Sequence, residues 1–391
     1  MDPADASAAL LRPRVARDER RWSLVLALAC AASALACVAA TTRARASDGV
    51  KGVLGLGEVA DRASARDVGR AWIVAARERA RGGRLVSDAS LEPTRRTRDD
   101  SCAVRFKDAN MALCRCKSHN SGDESGPEVA RRAAEHYFGG CSADALPERS
   151  TSCFGDEEGN CLITIGSVFL KARSGDHVWG TGVWHPRELD KRAETHSGVV
   201  VHGVRGPRTK ELLHEKYFSS SESNERVDVA AIGDPGFLVA FTHPELAAGV
   251  LRKQRCHVRH HTDSAGAPEG VKIINAAHRE WKGFVKDIAS CTHVFSSSLH
   301  GLVFADSFGI PSRWFQQKNS ATEHREGHFK YLDYLEMLPR DARWLTPSAS
   351  IHDLTRDDAY PAPLTESQRR DVAGRIVERF PFHLFEKVPS R

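Results

Sequence analysis

The sequence predicts an α/β fold built on parallel sheet. Three observations predict it. From about residue 101, short apolar runs alternate with runs of helical period, the rhythm of βα units. Most of these apolar runs end in a turn of Gly, Ser, Asp or Pro. The stretch 291–315, CTHVFSSSLHGLVFADSFGIPSRWF, parses as buried strand, polar turn, amphipathic helix, glycine stop and second strand.

The elements follow in order. Met111 to Cys116 reads as a first strand, running into Ser118-His119-Asn120-Ser121-Gly122-Asp123-Glu124-Ser125-Gly126-Pro127. Pro127 suits a first helical position. Val129, Ala133 and Tyr137 then fall on one helix face, and Gly139-Gly140 ends it. Cys161 to Ile165 is a strand followed by Gly166-Ser167, and His177 to Trp179 is a strand followed by Gly180-Thr181-Gly182. Val199 to Val201 leads into Gly203-Val204-Arg205-Gly206-Pro207, with a helix marked by Leu212, Leu213 and Tyr217 behind it. Val227 to Ile232 reads as a strand ending at Gly233-Asp234-Pro235-Gly236. In the second half, Val271 to Asn275 is a strand. Trp281, Phe284, Val285 and Ile288 are spaced as one face of a helix. Residues 249–270 read as loop. The Pro/Gly-rich break at 233–244 divides a domain over 101–242 from one over 243–391.

The N-terminus calls for separate treatment. Leu24 to Thr42 is an uncharged run of about 19 residues, close to the roughly 30 Å hydrocarbon core when helical. Arg12, Arg14, Arg17, Arg20 and Arg21 precede it, and Arg43 and Arg45 follow. The positive-inside rule makes residues 1–23 a cytosolic tail, 24–42 a transmembrane signal-anchor and 43–100 a stem with a short helix near Ala71 to Arg79. A cleaved signal peptide or an organelle transit peptide are the other readings.

The balance of 56 Lys+Arg against 51 Asp+Glu gives +5, with no long basic block, which argues against nucleic acid as a partner. Of the ten cysteines, Cys30 and Cys37 lie in the apolar run. The other eight permit disulfides in about 105 pairings, so no bridge is assigned. Cys114-Arg-Cys116 lacks zinc-site spacing. His257, His260, His261 and Asp263 could bind metal, although loop histidines are more often exposed. No metal and no resident cofactor is expected.

The turn Ser296-Ser297-Ser298-Leu299-His300-Gly301 lies beyond a strand and opens a helix. Free N–H groups there suit an anion, and a histidine can move a proton. His300 is the first catalytic candidate; the plainer reading is a turn-capping histidine. Arg205, between glycines beyond a strand, could grip a carboxylate or phosphate bidentately, or be a surface arginine. Gly122-Asp123, Gly166-Ser167 and Gly180-Thr181-Gly182 together describe a ligand-lining rim. Lys330, Asp333 and Tyr334 could reach the cleft or cap a helix.

Together these segments resemble the polysaccharide pyruvyltransferase family from about Ala112 to Tyr334. The resemblance is carried by Asn120-Ser121-Gly122-Asp123, Ile165-Gly166-Ser167, Val178-Trp179-Gly180-Thr181-Gly182 and Val204-Arg205-Gly206-Pro207-Arg208-Thr209-Lys210-Glu211-Leu212-Leu213. It continues through Gly233-Asp234-Pro235, Ser297-Ser298-Leu299-His300-Gly301, Gly309-Ile310-Pro311 and Lys330-Tyr331-Leu332-Asp333-Tyr334. It implies two Rossmann-like domains in a GT-B-like arrangement after the N-terminal transmembrane helix. The C-terminal segment of the second domain would cross over. It implies phosphoenolpyruvate as donor, a glycan or polysaccharide acceptor such as a terminal galactose, and a Golgi membrane location of type II with a lumenal catalytic region. Some members carry Arg directly before the Leu-His pair; Ser298 stands there in this chain.

On that resemblance, His300 and Arg205 are the catalytic expectation. Gly122, Asp123, Gly166, Ser167, Gly180, Gly182, Ser297, Ser298, Leu299 and Lys330 would bind the donor, and His261 and Asp263 the acceptor. The rival readings are a nucleotide-sugar-dependent glycosyltransferase on the same fold and a non-catalytic lumenal carbohydrate-binding protein.

Overall fold

The computed structural model describes residues 98–116, 120–151, 160–187, 198–216, 229–277, 280–316 and 328–390. The apolar run 24–42 and the short helix near 71–79 lie outside the described residues. No helix among the described residues is long and apolar enough to cross a membrane.

Two parallel sheets carry the fold. The first runs in the order β4-β2-β5-β6-β7, from β2 (Ala112–Cys116), β4 (Glu148–Thr151), β5 (Cys161–Ile163), β6 (His177–Trp179) and β7 (Val200–Gly203). The second runs β11-β10-β8-β9, from β8 (Gln254–Arg259), β9 (Lys272–Asn275), β10 (Cys291–Ser296) and β11 (Ser312–Trp314). Every neighbouring pair in both is parallel. A third sheet joins β1 (Asp99–Phe106) to β3 (Cys141–Ser142) in parallel and to β12 (Phe385–Pro389) antiparallel. β1 thus begins just inside the stretch read as stem.

Helices cover these sheets for the reasons their sequences give. α1 (Gly126–Tyr137) starts with Pro127 in its first turn and buries Val129, Ala130, Ala133 and Ala134. α3 (Trp281–Ala289), which follows α2 (Pro207–Lys216), buries Phe284, Val285 and Ile288, and Glu280 caps it by accepting from the Gly283 N–H. α4 (Leu299–Ser307) is buried throughout, so it lies inside the molecule rather than on it. Gly309 terminates it at φ +62°, a conformation that glycine takes without strain. α5 (Phe329–Leu335) and α6 (Glu366–Glu378) follow, the latter opened by a Thr365–Gln368 capping box.

Two sequence expectations are corrected. Residues 249–270 contain β8, and Val227 to Ile232 supplies only an isolated bridge between Ala231 and Val204 among the described residues. In β8, Cys256 and Val258 face the core while Gln254 and Arg255 are polar, and the charged composition hides the strand. The apolar cluster is continuous across both sheets, running from Leu113, Val129 and Trp179 to Val258, Val294 and Leu302. The C-terminal segment packs back on the first sheet, where the Trp179 indole N–H donates to the Ile376 carbonyl at 2.9 Å. Three disulfides stand among the described residues, Cys102–Cys141, Cys114–Cys161 and Cys256–Cys291.

Candidate active site

Strand order places the site. In the first sheet the chain steps from β2 to β4 on one side and to β5 on the other; in the second it steps from β8 to β9 and then across to β10. At such a reversal the loops beyond the strand ends part and leave a crevice. The loops at the first reversal hold Gly122-Asp123 and Gly166-Ser167. Those at the second hold His260 to Asp263 and Ser297 to His300. The two sets meet. A side-chain carbon added at Gly122 would stand 2.0 Å from His300 Cγ, so only glycine lets the ring lie against that backbone.

His300 is 2% exposed. Its Nδ1 is 3.7 Å from Asp123 Oδ1, and its Nε2 is 3.9 Å from Asp234 Oδ2. Neither ring nitrogen has a hydrogen-bond partner among the described residues, nor do Asp234 Oδ2 and the Ser298 hydroxyl. Buried polar atoms are seldom left so, which marks the place as built for a polar guest. Burial pulls the imidazole down to about 4; the Asp234 charge opposes this, and Arg205 and Lys330 add to it. The ring is therefore neutral at neutral pH. Burial likewise pushes Asp234 above the usual carboxylate range, against the pull of His300 and Arg205.

Arg205 is fully buried, and its guanidinium is extensively engaged. Nε donates to Asp333 Oδ2 at 3.1 Å, Nη1 to the Ser167 hydroxyl at 2.8 Å, and Nη2 to the Val183 carbonyl at 3.0 Å. A side-chain carbon at Gly182 would lie 2.5 Å from Arg205 Cζ, so that glycine makes room for the guanidinium. Gly180, at φ +82°, meets the Pro235 ring in the same way. The geometry makes Arg205 a brace for the Ser167 loop, charged and close enough to act on His300.

Helix α5 clasps both sets of loops. Asp333 accepts from the Thr209 N–H at 2.8 Å and the Thr209 hydroxyl at 2.7 Å, beside Arg205. The Tyr331 hydroxyl donates to the Ser297 carbonyl at 2.6 Å. Lys330, on the same helix, is buried. Asp263 accepts from the Ser297 hydroxyl and from the Ala265 N–H. Burial raises this carboxyl, but hydrogen bonds from His257 and Ser297 outweigh it, and the net shift is downward. His261 is exposed at the rim, its ring 4.1 Å from that of His260.

Asp234 is the residue of this candidate site that sequence reasoning passes over. Its only signal is the Gly233-Asp234-Pro235 turn, where its side chain also accepts from the Gly236 N–H at 2.9 Å. Nothing in that turn announces a carboxylate facing a histidine of the other sheet.

The chain is 28% identical over 183 residues to an uncharacterised protein of Acanthamoeba polyphaga mimivirus, covering 44% of this chain and 58% of that relative. The chain thus spans little more than half the length of the curated relative it matches. A solved structure of a functionally uncharacterised protein from Klebsiella pneumoniae subsp. pneumoniae NTUH-K2044 shares 13% identity over 57% of this chain and 90% of that one, at a TM-score of 0.32. That likeness is too slight to bear on fold or function. The family model for polysaccharide pyruvyl transferase matches residues 154–319, which include Arg205, Asp234 and His300. Over that range the chain is similar to the polysaccharide pyruvyl transferase family, a family of transferase enzymes.

Proposed function

We propose that this protein transfers the pyruvyl group of phosphoenolpyruvate to a glycan, closing a ketal on two hydroxyls of a sugar such as a terminal galactose. One observation carries the reading. A buried, neutral histidine without hydrogen-bond partners lies between two carboxylates where the loops of both sheets meet, inside the stretch similar to this family.

One sugar hydroxyl adds to the enol carbon that bears phosphate, and the methylene carbon gains a proton to become methyl. The carbon–oxygen bond to phosphate breaks, and the second hydroxyl closes the ketal. Two hydroxyl protons are released; one matches the new methyl hydrogen and the other leaves on phosphate. His300, neutral and facing Asp234, would take and return the hydroxyl proton. The N–H groups opening α4, with Ser297, Ser298, Leu299 and Lys330, would hold the donor's anionic groups. Gly122, Asp123, Gly166, Ser167, Gly180 and Gly182 would line the opposite wall, with Arg205 bracing it, and His261 and Asp263 would face the acceptor. With His300 shut against Gly122, donor entry requires these walls to part.

The two parallel sheets support reading 101–242 and 243–391 as Rossmann-like halves of a GT-B-like arrangement. Three disulfides favour an oxidising compartment, which suits a lumenal Golgi enzyme anchored through residues 24–42. The test is incubation with phosphoenolpyruvate and a panel of galactosides. Wild type should release phosphate and yield pyruvylated sugar, and His300→Gln should lower the rate by roughly 100-fold or more. Equal phosphate release by His300→Gln, or none by wild type, overturns the reading.

A further inference from the structure

A second cluster of chemistry-bearing side chains lies away from His300. His177 on β6, His202 on β7 and His383 in the turn before β12 each offer a ring nitrogen, and these atoms lie within 4.8 Å of one another. The Nδ1 of His177 is 2.9 Å from the Nε2 of His202, with the two rings stacked at 5.2 Å. His383 approaches from the C-terminal segment, its ring 5.4 Å from that of His202. His177 shares a strand face with Trp179, two residues on, which is the face the C-terminal segment covers.

We propose that these three histidines form a binding site for a borderline divalent cation, zinc by preference. At metal–nitrogen distances of about 2.0–2.1 Å, tetrahedral ligand nitrogens stand about 3.3 Å apart. The 2.9 Å His177–His202 spacing is already near that figure. The third ligand needs only to close from within 4.8 Å, and its side chain is exposed, with room to take another rotamer. An all-imidazole set selects zinc, nickel or copper over calcium and magnesium, which prefer oxygen. His202 is 2% exposed while His383 is open to solvent, so the fourth position faces water. The other triad of this kind among the described residues, Asp99 with Cys102 and Cys141, is spent, because its two sulfurs form a disulfide.

Bound there, the cation would fasten the C-terminal segment to the neighbouring strands β6 and β7. The site stands apart from the transferase chemistry, and its test does not use turnover. The untagged full chain, stripped with chelator and dialysed, is titrated with Zn²⁺ and Co²⁺. Expected are one equivalent bound per chain, visible absorption bands on Co²⁺ loading, and a thermal midpoint several degrees higher with Zn²⁺. His383→Ala, a change at an exposed position, should weaken binding by about tenfold or more and abolish the bands. Zn²⁺ should also shield His177, His202 and His383 of the wild type from diethylpyrocarbonate, as read by mass spectrometry. No stoichiometric binding by wild type, binding undiminished in His383→Ala, or unshielded histidines in the Zn²⁺-loaded protein would each overturn the proposal.

Discussion

The guanidinium of Arg205 and the carboxylate of Asp333 meet at 3.1 Å with both side chains fully buried, joining the first sheet to a helix 128 residues further along the chain. Neither charge has solvent to fall back on. Asp333→Ala should therefore destabilise by about 3–5 kcal/mol, the usual cost of stranding a buried charge. Arg205→Met with Asp333→Leu should cost clearly less than the sum of the two single changes. Urea unfolding of the four proteins measures this, and additive losses would refute the coupling.

The buried His300 makes stability depend on pH with a definite sign. Its folded value of about 4 is below the ordinary histidine value of 6.5, so the unfolded chain binds the extra proton between them. Stability should fall as pH drops from about 6.5 towards 4, and His300→Gln should flatten that part of the curve. Denaturant midpoints across this window are the check. A curve of unchanged slope in His300→Gln would remove the basis for a neutral ring.

Gly122→Ala should push the His300 ring aside, since the new carbon would lie 2.1 Å from Nδ1. Phosphate release should drop about tenfold or more, because small displacements of a catalytic group are costly. Gly266→Ala, with nothing within 4 Å, is the control and should leave the rate unchanged.

Gly374 lies inside α6 with open space where a side chain would go. Gly374→Ala should stabilise by about 0.5–1 kcal/mol by relieving the entropy cost of glycine in a helix. A lowered melting temperature would show that this face of α6 is covered in solution.

The Cys256–Cys291 bridge spans 35 residues and ties β8 to β10. Its replacement by two alanines should cost about 3–4 kcal/mol through release of the unfolded chain. Thermal melts of the two proteins would show whether the bridge matters to that extent.

The parallel-sheet rhythm was legible where a strand is short, apolar and closed by a glycine turn, as at His177 to Trp179 before Gly180. His300 was legible because its turn sits between an apolar strand and an apolar helix. β8 was not, since alternate residues of QRCHVR are polar and only Cys256 and Val258 reveal the inward face. Asp234 was hidden for another reason. Its meaning comes from a partner in a distant segment, His300, which no local pattern encodes. The triad of His177, His202 and His383 is similarly invisible, because two strands and a C-terminal turn must fold before the rings converge.

The pairing of β1 with β12 has a kinetic consequence. Arg105 and Glu386, 281 residues apart, face each other across that antiparallel ladder. A contact of such separation costs a large loop closure and belongs to the slow end of folding. During synthesis, that edge of β1 waits without its partner until almost the whole described chain has left the ribosome. Completion of the third sheet is then a late event of folding, and the newly made protein is most open to association through that edge of β1 just before it.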